Sequence, residues 1–320
     1  MSITKNSFSQ DTPIKNILEL VSHEKRNVKF LYVYAVFSGV ISLAIPLGIQ
    51  TIIGFVMAGR LSTSWFLLSL VITICVLLAG VTKLAQLSII DSVERKLFLR
   101  FGEIFRDKIS ELRNNGIKYG WYVKMKTSYF IDVITLQKSL SKLLTDFTGK
   151  LLQAIFGLLL LSLYHPLFIL FGIVVLIIVF IVIRLTWKRG FETARRESNF
   201  KFLTAESLRR LFAEEDTDLN TEEINDHLNN YADSRNQHFS ILYRQAWLGI
   251  LTKVLFTAMM LILGSYLLVN QSISLGQFLA AEILIITLLD AIEKLILTVE
   301  NLYDCGIAIE KLNQIMEIDG

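Results

Sequence analysis

Four stretches of the chain hold no Asp, Glu, Lys or Arg: Phe30 to Gly59, Leu61 to Thr82, Leu151 to Ile183 and Val254 to Ala281. Each exceeds the roughly 20 apolar residues that a helix needs to cross a bilayer. Composition agrees: 53% of the 320 residues are hydrophobic and 19% charged, against about 25% charged in an average soluble chain. Mean hydropathy is +0.51. These values exclude a disordered, collagen-like or disulfide-scaffold chain and point to a polytopic, all-α membrane protein.

The two cysteines, Cys75 and Cys305, are too few and too far apart for a metal cluster or disulfide framework. A net charge of +3 is weak evidence for nucleic-acid binding, and membrane topology accounts for most of the basic residues, so no nucleic-acid partner is expected. No cleavable signal peptide is expected, because the first 29 residues are polar and the first apolar run is too long for a signal-peptide core.

Six spans follow from the runs and their breaks. The first, Phe30 to Gly59, is one long tilted helix with Pro46 as an expected kink. Arg60 to Thr63 leaves room for a tight turn before the second, which starts at Trp65 and continues through Lys83 without a breaker. Leu151 to Ile183 is too long for one straight span and carries His165-Pro166, so it reads as a hairpin of spans three and four turning at Leu163 to Pro166. Asn270-Gln271-Ser272 divides the last region into span five, Trp247 to Val269, and span six, Leu275 to Val299.

Of the 32 Lys and Arg residues, 31 fall in the N-terminal segment, the two long loops and the C-terminal tail, and only Arg60 falls on the other face. The positive-inside rule then puts both termini and both long loops in the cytoplasm, in an inner (cytoplasmic) membrane. Both loops read as helical extensions. Leu97, Phe101, Ile104, Phe105, Ile109 and Leu112 recur at helical spacing, the pattern breaks at Asn114-Asn115-Gly116 and Gly120, and it resumes through Ile131, Ile134, Leu136 and Leu140. In the second loop, Leu228, Tyr231, Phe239 and Leu242 are spaced for a helix returning to the membrane, and the acidic stretch from Glu214 to Glu223 reads as a solvated bend. Thr12-Pro13 with Ile14, Ile17, Leu18 and Val21 predicts a short interfacial helix. The organisation is thus an N-terminal segment over 1–29, a six-span domain over 30–310 and a tail over 311–320. No internal repeat is evident.

Six spans with two long helical hairpins after spans two and four resemble the transmembrane domain of type I ATP-binding cassette exporters. The segments Val93-Glu94-Arg95-Lys96, Tyr129 to Leu140 and Ser274 to Glu282 are similar to the corresponding stretches of that family, and the resemblance covers nearly the whole chain. Such exporters usually continue into an ATPase domain, whereas this chain stops at Gly320, about where the linker would begin. No G-x-x-x-x-G-K-[ST] is present, since Gly149-Lys150 is followed by leucine and lacks the earlier glycine. The resemblance therefore implies a non-enzymatic permease subunit without a cofactor of its own. ATP and Mg would sit on a partner ATPase subunit, and the chain would form a homodimer or a heterodimer with a similar six-span chain, in contact with membrane lipid. It also implies coupling helices within Asn115 to Lys126 and Thr193 to Phe202, which makes Trp121, Tyr122, Arg195 and Arg196 candidate contacts to the ATPase. Trp121 and Tyr122 could instead pack the loop or touch headgroups. The alternative function is a non-transporting membrane scaffold or regulator of the same fold.

The four histidines lie apart, without partners at ligand spacing, so no metal site is expected. Span six is the least apolar. At 100° per residue, Glu282, Asp290, Glu293, Glu300 and Asp304 share one side of it. A carboxylate near the bilayer centre costs about 2.5–3.5 kcal/mol on insertion scales, so Glu282 and Asp290 are candidate cavity-lining residues. The structural alternative pairs Asp290 with Lys294 one turn on and leaves Glu282 bonded to a neighbouring span; Lys83 and Lys253 would then merely snorkel.

Overall fold

The computed structural model describes residues 25–59, 63–114, 130–212 and 221–316, and among them helices joined by short turns are the whole of the regular structure. In chain order the helices are α1 (Lys25–Ser42), α2 (Ala44–Met57), α3 (Thr63–Asn114), α4 (Ile131–Lys142), α5 (Thr148–Tyr164), α6 (Pro166–Phe212), α7 (Thr221–Val269) and α8 (Leu275–Met316), with a π-helical turn at Leu143–Phe147 joining α4 to α5. With α1–α2 and α4–α5 each counted as one broken helix, six are long and apolar enough to cross a membrane. The expected interfacial helix near Thr12 lies outside the described residues.

Local chemistry accounts for the breaks. Pro46 has no N–H to offer the Ser42 carbonyl four residues back, and the helix is interrupted at Leu43, between α1 and α2. There the Ser42 hydroxyl donates to the Gly39 carbonyl at 2.6 Å. His165 is extended (φ −160°, ψ 143°) before the Pro166 that starts α6, as the residue preceding proline prefers, and its Nδ1 accepts the Leu167 N–H at 3.2 Å. After α7, Gln271 takes a left-handed φ of 59°. α8 then opens with a capping box: Ser274 Oγ accepts the Gln277 N–H at 3.2 Å and Gln277 Oε1 accepts the Ser274 N–H at 2.8 Å.

The short connections gather at one end. Tyr164 Oη donates to Gln50 Oε1 at 2.7 Å, and Gly276 lets α8 approach α2 so closely that an added Cβ would lie 2.9 Å from the Gln50 carbonyl oxygen. At the opposite end the helices run on well past the membrane. α3, α6 and α7 have 52, 47 and 49 residues, or about 70–80 Å at 1.5 Å per residue, against a hydrocarbon core of about 30 Å.

α8 is the centre of the bundle, packed against α2, α4, α5, α6 and α7. Half of its most apolar window is buried, whereas none of the corresponding window of α3 is. Ala280, Ala281 and Ala291 on α8 are fully buried, the small side chains that allow close helix approach in lipid. Leu161, Phe168, Val175, Phe256, Ile285 and Leu289 fill the core between α5, α6, α7 and α8. At the extended end, Leu97, Phe101 and Phe105 of α3 meet Val133 and Leu136 of α4 and Ile309 and Leu312 of α8. Glu94 joins the same ends: its carboxylate accepts from Ser141 and its carbonyl from Gln137.

Candidate functional site

The charges nearest the apolar runs come together across two helices. Lys253, which closes the uncharged stretch of α7, places Nζ 2.5 Å from Asp290 Oδ1 and 3.3 Å from Glu293 Oε2 on α8. The partner of Asp290 is thus on the neighbouring helix, whereas Lys294 on its own helix is exposed. Lys253 is likewise more than a snorkelling cation. Asp290 lies 15 residues into α8, about 22 Å from its start, so a hydrocarbon core of about 30 Å beginning at Leu275 would take in the triad in its last third.

The side chains of Lys253, Asp290 and Glu293 retain 38%, 48% and 29% of their exposure. Two carboxylates against one ammonium leave a net negative charge on an open face. Ions at this depth do not rest against hydrocarbon, so that face meets water or another protein surface. Lys150, near the start of α5, donates to Gln153 Oε1 at 2.8 Å.

Glu282 stands apart, 7 residues into α8 and half-buried, with its Oε1 shielded from solvent and without a hydrogen-bond partner among the described residues. An unsatisfied buried acceptor costs about 1–3 kcal/mol. Of the acidic stripe, Asp290 and Glu293 therefore share one lysine, Glu282 is uncompensated, and Glu300 and Asp304 belong to the extended end.

Trp121 and Tyr122 lie outside the described residues. Thr193 to Phe202 forms no separate short helix; it is continuous with α6, 10 or more residues before its end at Phe212. Within it, Arg195 forks onto Glu310 of α8, Nη2 to Oε1 at 2.5 Å and Nε to Oε2 at 3.2 Å, and stacks over Phe191 at 5.7 Å. Arg196 is exposed.

Sequence reasoning missed a polar knot around Tyr303, which is fully buried. Gln245 Nε2 donates to Thr186 Oγ1 at 2.8 Å and to Tyr303 Oη at 3.3 Å, while Trp187, Phe191 and His238 surround the ring at centroid distances of 5.3–6.3 Å. Gly190 of α6 makes room for the ring, an added Cβ there lying 2.5 Å from Tyr303 Oη, a pairing that no local pattern in the sequence signals. His227 and His238 are bonded to Ser207 and Thr193 of α6 rather than to each other, and among the described residues no three His, Cys, Asp or Glu side chains are grouped to hold a metal ion.

No protein-family model matches the chain, and no curated protein matches it.

Proposed function

We propose that this chain is the membrane-spanning permease subunit of a type I ATP-binding cassette exporter, paired with a second six-span chain and driven by ATP hydrolysis on a separate or fused ATPase. The observation that carries the reading is the Lys253–Asp290–Glu293 triad, open on one side at membrane depth. A water-lined pathway between two such chains gives it the aqueous or protein neighbour that lipid denies. Paired long extensions, α3 with α4 and α6 with α7, support the same reading, because helices of that length can carry movement from ATPase subunits into the membrane. In this arrangement the extensions, both termini and nearly all basic residues are cytoplasmic. The transported solute is hydrophobic or amphipathic.

One observation favours the scaffold reading. The extensions of α6 and α7 are tied to each other by Arg235–Glu197 at 2.9 Å and to α8 by Arg195–Glu310 at 2.5 Å, which suits a static assembly. Affinity purification from native membranes separates the two. The permease reading expects a nucleotide-binding ATPase to accompany the chain, which by itself neither binds nor hydrolyses ATP; recovery as a dimer with no such partner favours the scaffold.

Orientation is tested by single cysteines placed in a background lacking Cys75 and Cys305. Ser62→Cys and Ser272→Cys should react with an impermeant reagent only from outside, and Ser110→Cys only from the cytoplasm. Outside labelling of Ser110→Cys is incompatible with six spans.

Glu282→Gln supplies an amide in place of the uncompensated carboxylate. It should leave folding and dimerisation intact while altering solute transport or stimulation of the partner ATPase by severalfold. Loss of assembly, or transport unchanged, would make Glu282 structural.

A further inference from the structure

At the extended end, α4, α6, α7 and α8 meet around a cavity of about 170 Å³. Its wall carries charge of both signs. α4 brings Asp132, α6 brings Glu197 and Lys201, α7 brings Arg235 and His238, and α8 brings Glu300 and Asp304. Two pairs close across the helices, Arg235 with Glu197 at 2.9 Å and Lys311 of α8 with Asp132 at 3.7 Å.

Asp304 stands outside these pairs. It lies 29 residues into α8, about 44 Å from its start, and so beyond a hydrocarbon core of about 30 Å. It sits between the fully buried Tyr303 and Cys305, and its carboxyl makes no hydrogen bond or contact ion pair among the described residues. Lys201 of α6 and Lys142 at the end of α4 attract the carboxylate from farther off, while Glu300, one turn back on α8, and Glu197 of α6 repel it. Burial is the largest effect, and the balance pushes the carboxyl from its ordinary 3.8 up to about 6.

When α8 separates from α4 and α6, that carboxyl reaches water and becomes an ordinary aspartic acid. The packed arrangement thus holds a proton more tightly than the separated one, and by linkage the proton favours packing. We propose that this joint is a pH-sensitive brace, in which uptake of one proton by Asp304 tightens α8 against α4 and α6 in mild acid and its release loosens the same contact towards neutral pH. The stabilisation is complete below the ordinary value of 3.8, is lost as pH rises to about 6, and changes little above that.

Other groups on the wall respond to pH as well. His238, bonded through Nδ1 to Thr193 Oγ1 at 3.0 Å, is pushed below its ordinary value by burial and acts in the opposite sense, because acid charges it more readily once it is exposed. Asp132 is raised by burial against the pull of Lys311 and acts in the same sense as Asp304. Asp304→Asn leaves both in place, so comparison with the wild type isolates the Asp304 proton. The inference does not depend on the transport reading.

Cys305, fully buried beside Asp304, reports the opening. In the full chain with Cys75→Ser, purified in detergent, 4,4′-dithiodipyridine reaches Cys305 only through local or global opening. Dividing the rate by that of the same chain with Asp304→Asn, at each pH, cancels the pH dependence of the thiol chemistry. The ratio should exceed 1 at pH 7.5 and fall by about tenfold on going to pH 5.0. A ratio that is constant with pH, or that rises in acid, overturns the proposal. If the Asp304→Asn protein is not recovered folded, Glu300→Gln decides. It removes the like charge beside Asp304, so the ratio taken against it should also exceed 1 at pH 7.5 and fall by about twofold or more at pH 5.0, and a constant ratio overturns the proposal.

Discussion

Gly190→Ala lowers the unfolding temperature of the chain, whereas Gly102→Ala raises it. Both glycines lie within long helices, where alanine is favoured over glycine by about 1 kcal/mol, and at Gly102 an added Cβ meets nothing within 4 Å. At Gly190 the same atom would stand 2.5 Å from Tyr303 Oη and 2.7 Å from two ring carbons. The ring has no room to retreat. It is fully buried, flanked by Trp187, Phe191 and His238, and bonded to Gln245. Overpacking of this kind costs about 1–3 kcal/mol, enough to outweigh the helix preference. The double variant Gly190→Ala/Tyr303→Leu should recover part of the loss, because the two residues share one contact and their effects do not add. Thermal melts of these proteins and of Tyr303→Leu alone in one detergent measure all of this, and a Gly190→Ala protein as stable as Gly102→Ala would show that the helices separate freely at this level.

Lys253→Met should destabilise the chain by about 1–3 kcal/mol, below the 3–5 kcal/mol typical of a broken buried pair, because the triad is partly exposed. The loss comes from Asp290 and Glu293, which are left without the ammonium that both of them contact. The physical reading has a specific rescue. Lys253→Met/Asp290→Asn/Glu293→Gln removes the stranded charges and should regain most of the stability. If the triple variant is no better than the single, the lysine acts through packing of its aliphatic stem. In the permease reading, the triple variant would also be folded but impaired in transport, which separates the role of the charges in assembly from their role in a pathway.

Much of the helical layout was legible because it rests on local backbone chemistry. Asn114-Asn115-Gly116 marks where α3 ends, His165-Pro166 where α5 gives way to α6, and Asn270-Gln271-Ser272 where α7 ends before the capping box at Ser274. Pro46 signalled a kink, and the missing N–H moves the break to Leu43. The acidic stripe of α8 was readable from helical periodicity alone. Its partners were not: periodicity offered Lys294 to Asp290, whereas the fold supplies Lys253, 37 residues earlier in sequence. Arg195 and Glu310, 115 residues apart, are a second such pair. Thr193 to Phe202 was expected to be a coupling helix from the family resemblance alone; its sequence holds no helix breaker, and it continues within α6.

The sequence by itself determined that the chain carries six stretches long and apolar enough to cross a membrane and where the short breaks between them fall, since long uncharged runs favour a lipid environment and turns are set by nearby residues. Only the tertiary structure decided that α8 lies at the centre and α3 at the edge. Both are apolar, and hydropathy cannot tell a side chain that faces lipid from one that faces another helix, because the two surroundings are equally free of water.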